Sequence, residues 1–337
     1  MNIIFELSKE HALLPADEVF SCFQAEQLSY EILAQNQDVL ILDTSVTEEC
    51  LFKLSQRLAF TFTLDEFFFS CTPIESDLVE KSKQHPFDTS GSLAIRYRNR
   101  SATIDSQPLV KTLAGIYTKQ RQVDLHHPDH ELRMILTDST VYVGRKITSI
   151  DRSAFEKRKV QYRPFFSPVS LHPKWARALV NLAHVRAEDV LLDPFCGTGG
   201  ILLEAGLMGI TVSGCDIDET MVSGCTRALG SFDIQPIQMD CCDIGQLRDR
   251  IPLVDAVVTD FPYGKSTTTK GEPRSSLYRR AFEAISFNVK PGGKVVVGLP
   301  DEQSVSVGED FFTLETVYEV PVHRSLTRFF SVFTNGP

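Results

Sequence analysis

Asp189-Val190-Leu191-Leu192-Asp193-Pro194-Phe195-Cys196-Gly197-Thr198-Gly199-Gly200 is the stretch on which the reading of the chain turns. Its first five residues set a short apolar run between carboxylates, the pattern of a strand buried on both faces. Three glycines within four residues follow, and an apolar helix is expected directly afterwards over Ile201–Met208. Such a turn lets backbone pass close to a ligand, because no Cβ stands in the way. It lies at the carboxyl end of a strand, where open α/β sheets bind ligands. The turn is not Gly-x-Gly-x-x-Gly and carries no Walker lysine, which argues against dinucleotide and ATP sites.

The next strand, Thr211–Cys215, runs into Asp216-Ile217-Asp218, and a carboxylate at its tip is placed to accept from ribose hydroxyls. A third strand is expected over Ile234–Met239, ending in Asp240-Cys241-Cys242-Asp243, where a carboxylate can reach an adenine amino group. A single strand-end aspartate is often only a solvated residue. Asp193, Asp216 and Asp240 in succession are a series. This series resembles the class I S-adenosylmethionine-dependent methyltransferases, and Asp-Pro-Phe-Cys-Gly-Thr-Gly-Gly resembles the form found in amino-group methylating members. The resemblance implies S-adenosylmethionine as cofactor. Its expected contacts are Asp193, Pro194, Phe195, Cys196, Gly197, Thr198, Gly199, Asp216, Ile217, Asp240 and Cys241.

A fourth strand, Asp255–Thr259, ends in Asp260-Phe261-Pro262-Tyr263-Gly264. This resembles the (Asp/Asn)-Pro-Pro-(Tyr/Phe) motif of enzymes that methylate exocyclic amines of nucleobases, and implies Asp260, Phe261, Pro262 and Tyr263 as the catalytic set. A nucleobase amine is a poor nucleophile, since its lone pair is delocalised into the ring. The Asp260 carboxylate and the carbonyl of Phe261 can accept its two protons and turn the lone pair toward the methyl donor. Tyr263 offers a flat face to an unstacked base. Phe261 replaces the usual first proline. The carbonyl survives that change, and Pro262 still holds Phe261 extended. Asp260 loses the same restraint, so a looser loop is expected, and Phe261→Pro is expected to change the rate by about tenfold or less.

The chain has 337 residues, 42% hydrophobic and 23% charged, the balance of a globular protein of two or three domains. No apolar run approaches the roughly 18 residues of a membrane span, and the first residues lack signal-peptide character. Eight cysteines include no Cys-x-x-Cys pair, so reduced thiols in the cytoplasm are expected. His126, His127, Asp129 and His130 lack cysteine support, and no metal site is expected. The net charge of −10 opposes a nucleic-acid partner only on average: residues 1–91 carry −11, residues 92–177 carry +9 and residues 178–337 carry −8. That asymmetry points to a polyanion site in the middle segment. Arg96, Arg98, Arg145, Lys146, Lys157, Arg158 and Lys159 are the candidates.

Taken over its full length, the chain resembles the archaeal tRNA guanine-N2 methyltransferases that act on guanosine 10. The carriers are Arg163-Pro164-Phe165-Phe166-Ser167-Pro168, Ser170–Leu182, Val257–Ser266 and Val322-His323-Arg324-Ser325-Leu326-Thr327-Arg328. Val123-Asp124-Leu125-His126-His127-Pro128 and the paired strands after it are similar to a THUMP domain. The resemblance implies four segments: a ferredoxin-like domain at 1–68, a THUMP tRNA-binding domain at 69–150, a polar linker at 151–174, and a Rossmann-like α/β methyltransferase domain at 175–337. It implies tRNA as substrate, with a mono- or dimethyl product. It also suggests a small zinc-ribbon activator protein bound at strand 234–239, which the class I topology puts at a sheet edge. Another tRNA or rRNA guanosine, or a non-catalytic tRNA-binding protein, remain open alternatives.

Overall fold

The computed structural model describes residues 1–167, 170–262, 272–323 and 326–336, and the chain divides into two compact units. The first takes residues 1–12, 28–55 and 61–150. Its strands are β1 (Asn2–Leu7), β2 (Tyr30–Gln35), β3 (Val39–Thr44), β4 (Thr61–Cys71), β5 (Leu93–Asn99), β6 (His130–Leu136) and β7 (Val141–Ser149). They form one sheet in the order β2-β3-β1-β4-β7-β6-β5, antiparallel except for β5 with β6. β6 and β7 are the paired strands expected after Pro128. β4 runs straight through the boundary expected at 68/69, so one sheet serves both segments. β2 escaped the sequence reading because it is an edge strand, mostly exposed, without alternation to mark it.

The second unit takes residues 13–27, 56–60 and 151–337. Its strands are β8 (Val190–Asp193), β9 (Thr211–Asp216), β10 (Gln238–Cys241), β11 (Val254–Asp260), β12 (Val289–Leu299), β13 (Thr313–His323) and β14 (Leu326–Thr334). The order is β10-β9-β8-β11-β12-β14-β13. β8 to β12 pair in parallel, and β14 is antiparallel to both neighbours. Strand order reverses between β8 and β11, which opens a crevice at their carboxyl ends. Both of these central strands are apolar runs covered on two faces: Leu191, Leu192, Val257 and Val258 are fully buried. Among the described residues no helix is long and apolar enough to cross a membrane.

The helix Leu14–Ala25 belongs to this second unit although the sequence assigned it to the N-terminal segment. Its anchor is Glu18, fully buried, which accepts the N–H groups of Ala59 (3.0 Å) and Phe60 (2.9 Å) and the side-chain amide of Asn181 (2.9 Å). Burial raises the Glu18 carboxyl to about 6 against those donors. Residues 151–174 are likewise more than a linker. They contain the helix Ser153–Lys157, a 3-10 turn Val160–Tyr162, and the buried Phe155 and Arg163. The third strand also starts later than expected. Ile234 packs beneath the helix Gly200–Gly206, where a Cβ on Gly206 would meet its Cγ2 at 2.6 Å. Pro236 has no N–H to give a ladder. β10 therefore begins at Gln238, and it does lie at the sheet edge.

Candidate active site

A cavity of about 380 Å³ opens at the reversal point, within the size range of small-molecule sites. Its floor is the turn after β8. Gly199, at φ 76°, caps the helix Gly200–Gly206, and a Cβ there would approach Cys225 Sγ to 2.6 Å. Only glycine meets both demands. Asp193, Pro194, Phe195, Cys196, Gly197 and Thr198 all line the cavity, as expected, while Gly199 shapes the turn without lining it.

Asp216 closes the next strand and lines the cavity with Ile217. Its Oδ2 accepts the Gly197 N–H and its Oδ1 the Asp218 N–H, each at 3.0 Å. An ionised carboxylate has about four acceptor positions, so capacity remains for a ribose hydroxyl. Asp193 is 2% exposed; burial raises its carboxyl to about 7, with the Phe195 N–H opposing at 3.1 Å. Asp240 and Cys241 do not line the cavity. The late start of β10 leaves Asp240 inside the strand, where its Oδ2 accepts from Gln238 Nε2 at 2.6 Å, and Cys241 is exposed. Cys242, Asp243 and Ile244 take that wall instead. Asp243 was within reach of the sequence reading, being the last residue of the acidic run.

The fourth strand delivers Asp260, Phe261 and Pro262 to the cavity mouth. Tyr263 lies outside the described residues. Asp260 Oδ2 pairs with Arg328 at 3.1 Å, from β14. Gly298 of β12 lies opposite Asp260, and a Cβ there would strike Asp260 Oδ1 at 2.3 Å. The glycine makes room for the carboxylate. Phe261 is 1% exposed, with ring centroids 5.1–5.2 Å from those of Phe195, Tyr278 and Phe282. Its N–H donates to Gly298 O at 3.1 Å, a bond that proline cannot make. Tyr278 Oη donates to the Pro262 carbonyl at 3.0 Å. An aromatic wedge and these two hydrogen bonds hold Phe261 and Pro262 themselves, while residues 263–271, on which the looser loop was expected, lie outside the described residues. Gly298 and Arg328 were not assigned from sequence. An isolated glycine inside Val295-Val296-Val297-Gly298-Leu299 is the signal that marks such a close approach.

The basic candidates are dispersed. In the first unit Arg96 and Lys146 share Glu131, at 3.8 and 3.4 Å, and Arg145 pairs with Glu48 and Glu66. Arg98 leans toward Glu6 at 3.6 Å, about half exposed. In the second unit Arg158 grips the buried Glu204 with Nε at 2.7 Å and Nη2 at 3.0 Å, and Lys159 pairs with Glu156. Lys157 is exposed, and no ion pair among the described residues involves it. Among the described residues no group of three or more His, Cys, Asp or Glu is arranged to hold a metal.

A glycine turn with carboxylates at the ends of neighbouring strands suits S-adenosylmethionine. The family model for the UPF0020, RMKL-like methyltransferase domain matches residues 160–329. TrmN from Thermus thermophilus shares the fold, with a TM-score of 0.58 at 21% identity, over 99% of this chain and 100% of that one. So does a putative methyltransferase, SMU.472, solved with SAH, with a TM-score of 0.53 at 13% identity, over 98% and 97% of the two chains. A tRNA (guanine(10)-N2)-dimethyltransferase from Methanothermobacter thermautotrophicus is 34% identical over 334 residues, covering 97% of this chain and 98% of that one. Similarity of that extent, with the class I methyltransferase sheet and its strand-end acids in place, makes this chain a member of the tRNA (guanine(10)-N2)-dimethyltransferase family.

Proposed function

We propose that this protein methylates the N2 amine of guanosine at position 10 of tRNA, using S-adenosylmethionine and adding two methyl groups in turn. The observation that carries the reading is Asp260, held by Arg328 beside Gly298 at the mouth of the cavity that Asp193 and Asp216 line. When bound there, the cofactor supplies an electrophilic methyl group on a sulfonium. Asp216 takes the ribose hydroxyls, and Asp193 lies where a cationic group is favoured. Asp260 would accept one amine proton and the Phe261 carbonyl the other, which frees the lone pair for the methyl group that the cofactor would supply. The surplus proton would leave through Asp260.

Residues 1–68 and 69–150 are read as a ferredoxin-like and a THUMP segment that hold the tRNA, on the strength of the basic middle of the chain. Exposed Arg98 and Lys157 are better placed for phosphate contacts than the paired Arg145 and Lys146. The edge position of β10, with exposed Ile237 before it, supports strand addition by a small zinc-ribbon activator, and the setting is cytoplasmic. Co-purification with that activator tests the partner. For the reaction, unmodified tRNA is incubated with the protein and labelled cofactor, and the product is mapped by mass spectrometry. N2,N2-dimethylguanosine at position 10 is expected. Label at another position, or none, overturns the reading.

A further inference from the structure

The described lining of the cavity is acidic: Asp193, Asp216, Asp218, Asp243, Asp260 and Glu272 face it, and no Lys, Arg or His does. That field suits a sulfonium and an ammonium. It leaves the carboxylate at the methionyl end of the same cofactor without a cationic partner in the described lining. Arg163 stands directly behind the lining residues Gly200 and Ser170. A Cβ on Gly200 would lie 3.5 Å from Arg163 Nη1 and 3.6 Å from Ser170 Oγ. Arg163 is 6% exposed; its Nε donates to the Arg158 carbonyl at 2.8 Å, and Nη1 and Nη2 have no hydrogen-bond partner among the described residues. A buried guanidinium with two idle nitrogens carries a desolvation cost that its Nε bond and the nearby Glu204 carboxylate offset only in part. The carboxylate of Glu204 is already occupied, since it accepts from Arg158 at 2.7 Å and from Arg177 at 3.0 Å.

We propose that Arg163 is the anchor for the cofactor's carboxylate, reached across Gly200. Ser170, whose Oγ is held at 3.3 Å by Thr198 Oγ1, is the group that gives way as the carboxylate arrives. A planar guanidinium matches a carboxylate with two parallel hydrogen bonds, which fixes the methionyl chain and so the direction of the methyl group. Gly200 lacks a side chain where one would stand between the two. The inference rests on the S-adenosylmethionine reading of the cavity.

The test compares S-adenosylhomocysteine with its decarboxylated analogue, which keeps the amine, by calorimetric titration of the full-length protein. The wild type is expected to prefer the carboxylate-bearing ligand by about tenfold or more. Arg163→Gln is expected to bring the two within about twofold while the analogue's own affinity holds, which also shows that the variant is folded. Arg163→Lys should keep part of the preference, and Gly200→Ala should reduce it without touching the arginine. An unchanged preference in Arg163→Gln, or an equal loss of both ligands, overturns the assignment. A wild type that binds neither ligand would instead remove the cofactor reading itself.

Discussion

Each unit gathers three arginines around buried carboxylates, and the two triads are balanced differently. In the first unit Arg100 bonds Glu6 at 2.7 Å, the half-exposed Arg98 approaches it at 3.6 Å, and Arg133 bridges Glu6 and Asp65. Asp38 adds a further carboxylate, 3.9 Å from Arg100. In the second unit Arg158 and Arg177 pair with Glu204, and the Arg163 Nη atoms pair with none among the described residues. Balanced charge in a core builds structure, because each ion's desolvation is offset within the fold. Excess charge beside a cavity is held in reserve for a ligand. The cavity acids make the same point with opposite sign: Asp193 and Asp216 lie against no cation in the described lining, and Asp260 has Arg328.

The largest effect expected from that contrast is on stability. Arg133→Met leaves Glu6 and Asp65 buried without their bridge and should cost about 3–5 kcal/mol by chemical denaturation. Arg163→Met should cost about 1 kcal/mol or less, since it removes a charge that Glu204 offsets only in part, and one hydrogen bond. Equal losses would erase the distinction between the triads. Phe261→Pro comes next. It empties part of the Phe195–Tyr278–Phe282 cluster and deletes the bond to Gly298 O, a loss of about 3 kcal/mol that Phe261→Leu largely avoids. A melting temperature unchanged by proline would show that the wedge contributes nothing.

Gly298→Ala should lower kcat about a hundredfold, because its methyl displaces the Asp260 carboxylate, and should lower the melting temperature modestly, because the same methyl crowds the buried Phe330. An unimpaired rate would mean that Asp260 is not held where the amine arrives. The smallest effect is a pH dependence. The folded Asp193 carboxyl, raised to about 7, keeps its proton in acid, and a protonated carboxyl cannot favour a cation. Cofactor affinity should therefore climb up to about tenfold per pH unit below 7 and level off above it. In the apo protein the sign reverses: stability present below the unfolded pKa declines as pH rises through about 7. Asp193→Asn should abolish the slope of affinity, and a slope that persists would assign it to another group.

The methyltransferase half was legible because its strands are apolar runs that end in carboxylates, which marks both the sheet and its ligand-binding edge. The third strand misled. Ile234, Ile237 and Met239 read as one run, but Ile234 turns inward beneath Gly206, and the shift exchanges Asp240 for Asp243 at the cavity. The transfer of the helix Leu14–Ala25 to the second unit rests on bonds such as Glu18 to Asn181, far apart in sequence and invisible to any local pattern. The basic middle was legible as a count, but the partners of its individual cations were not. Arg96, Arg145, Lys146 and Arg158 meet carboxylates that sequence spacing does not reveal.

Asp260→Ala, assayed by single-turnover transfer to unmodified tRNA alongside cofactor and tRNA affinities, tests the central assignment most directly. An acceptor used at the reacting amine acts mainly in the transition state, so the rate should fall about a thousandfold or more while both affinities stay near wild type. A variant that still methylates guanosine 10 at close to the wild-type rate would contradict the account.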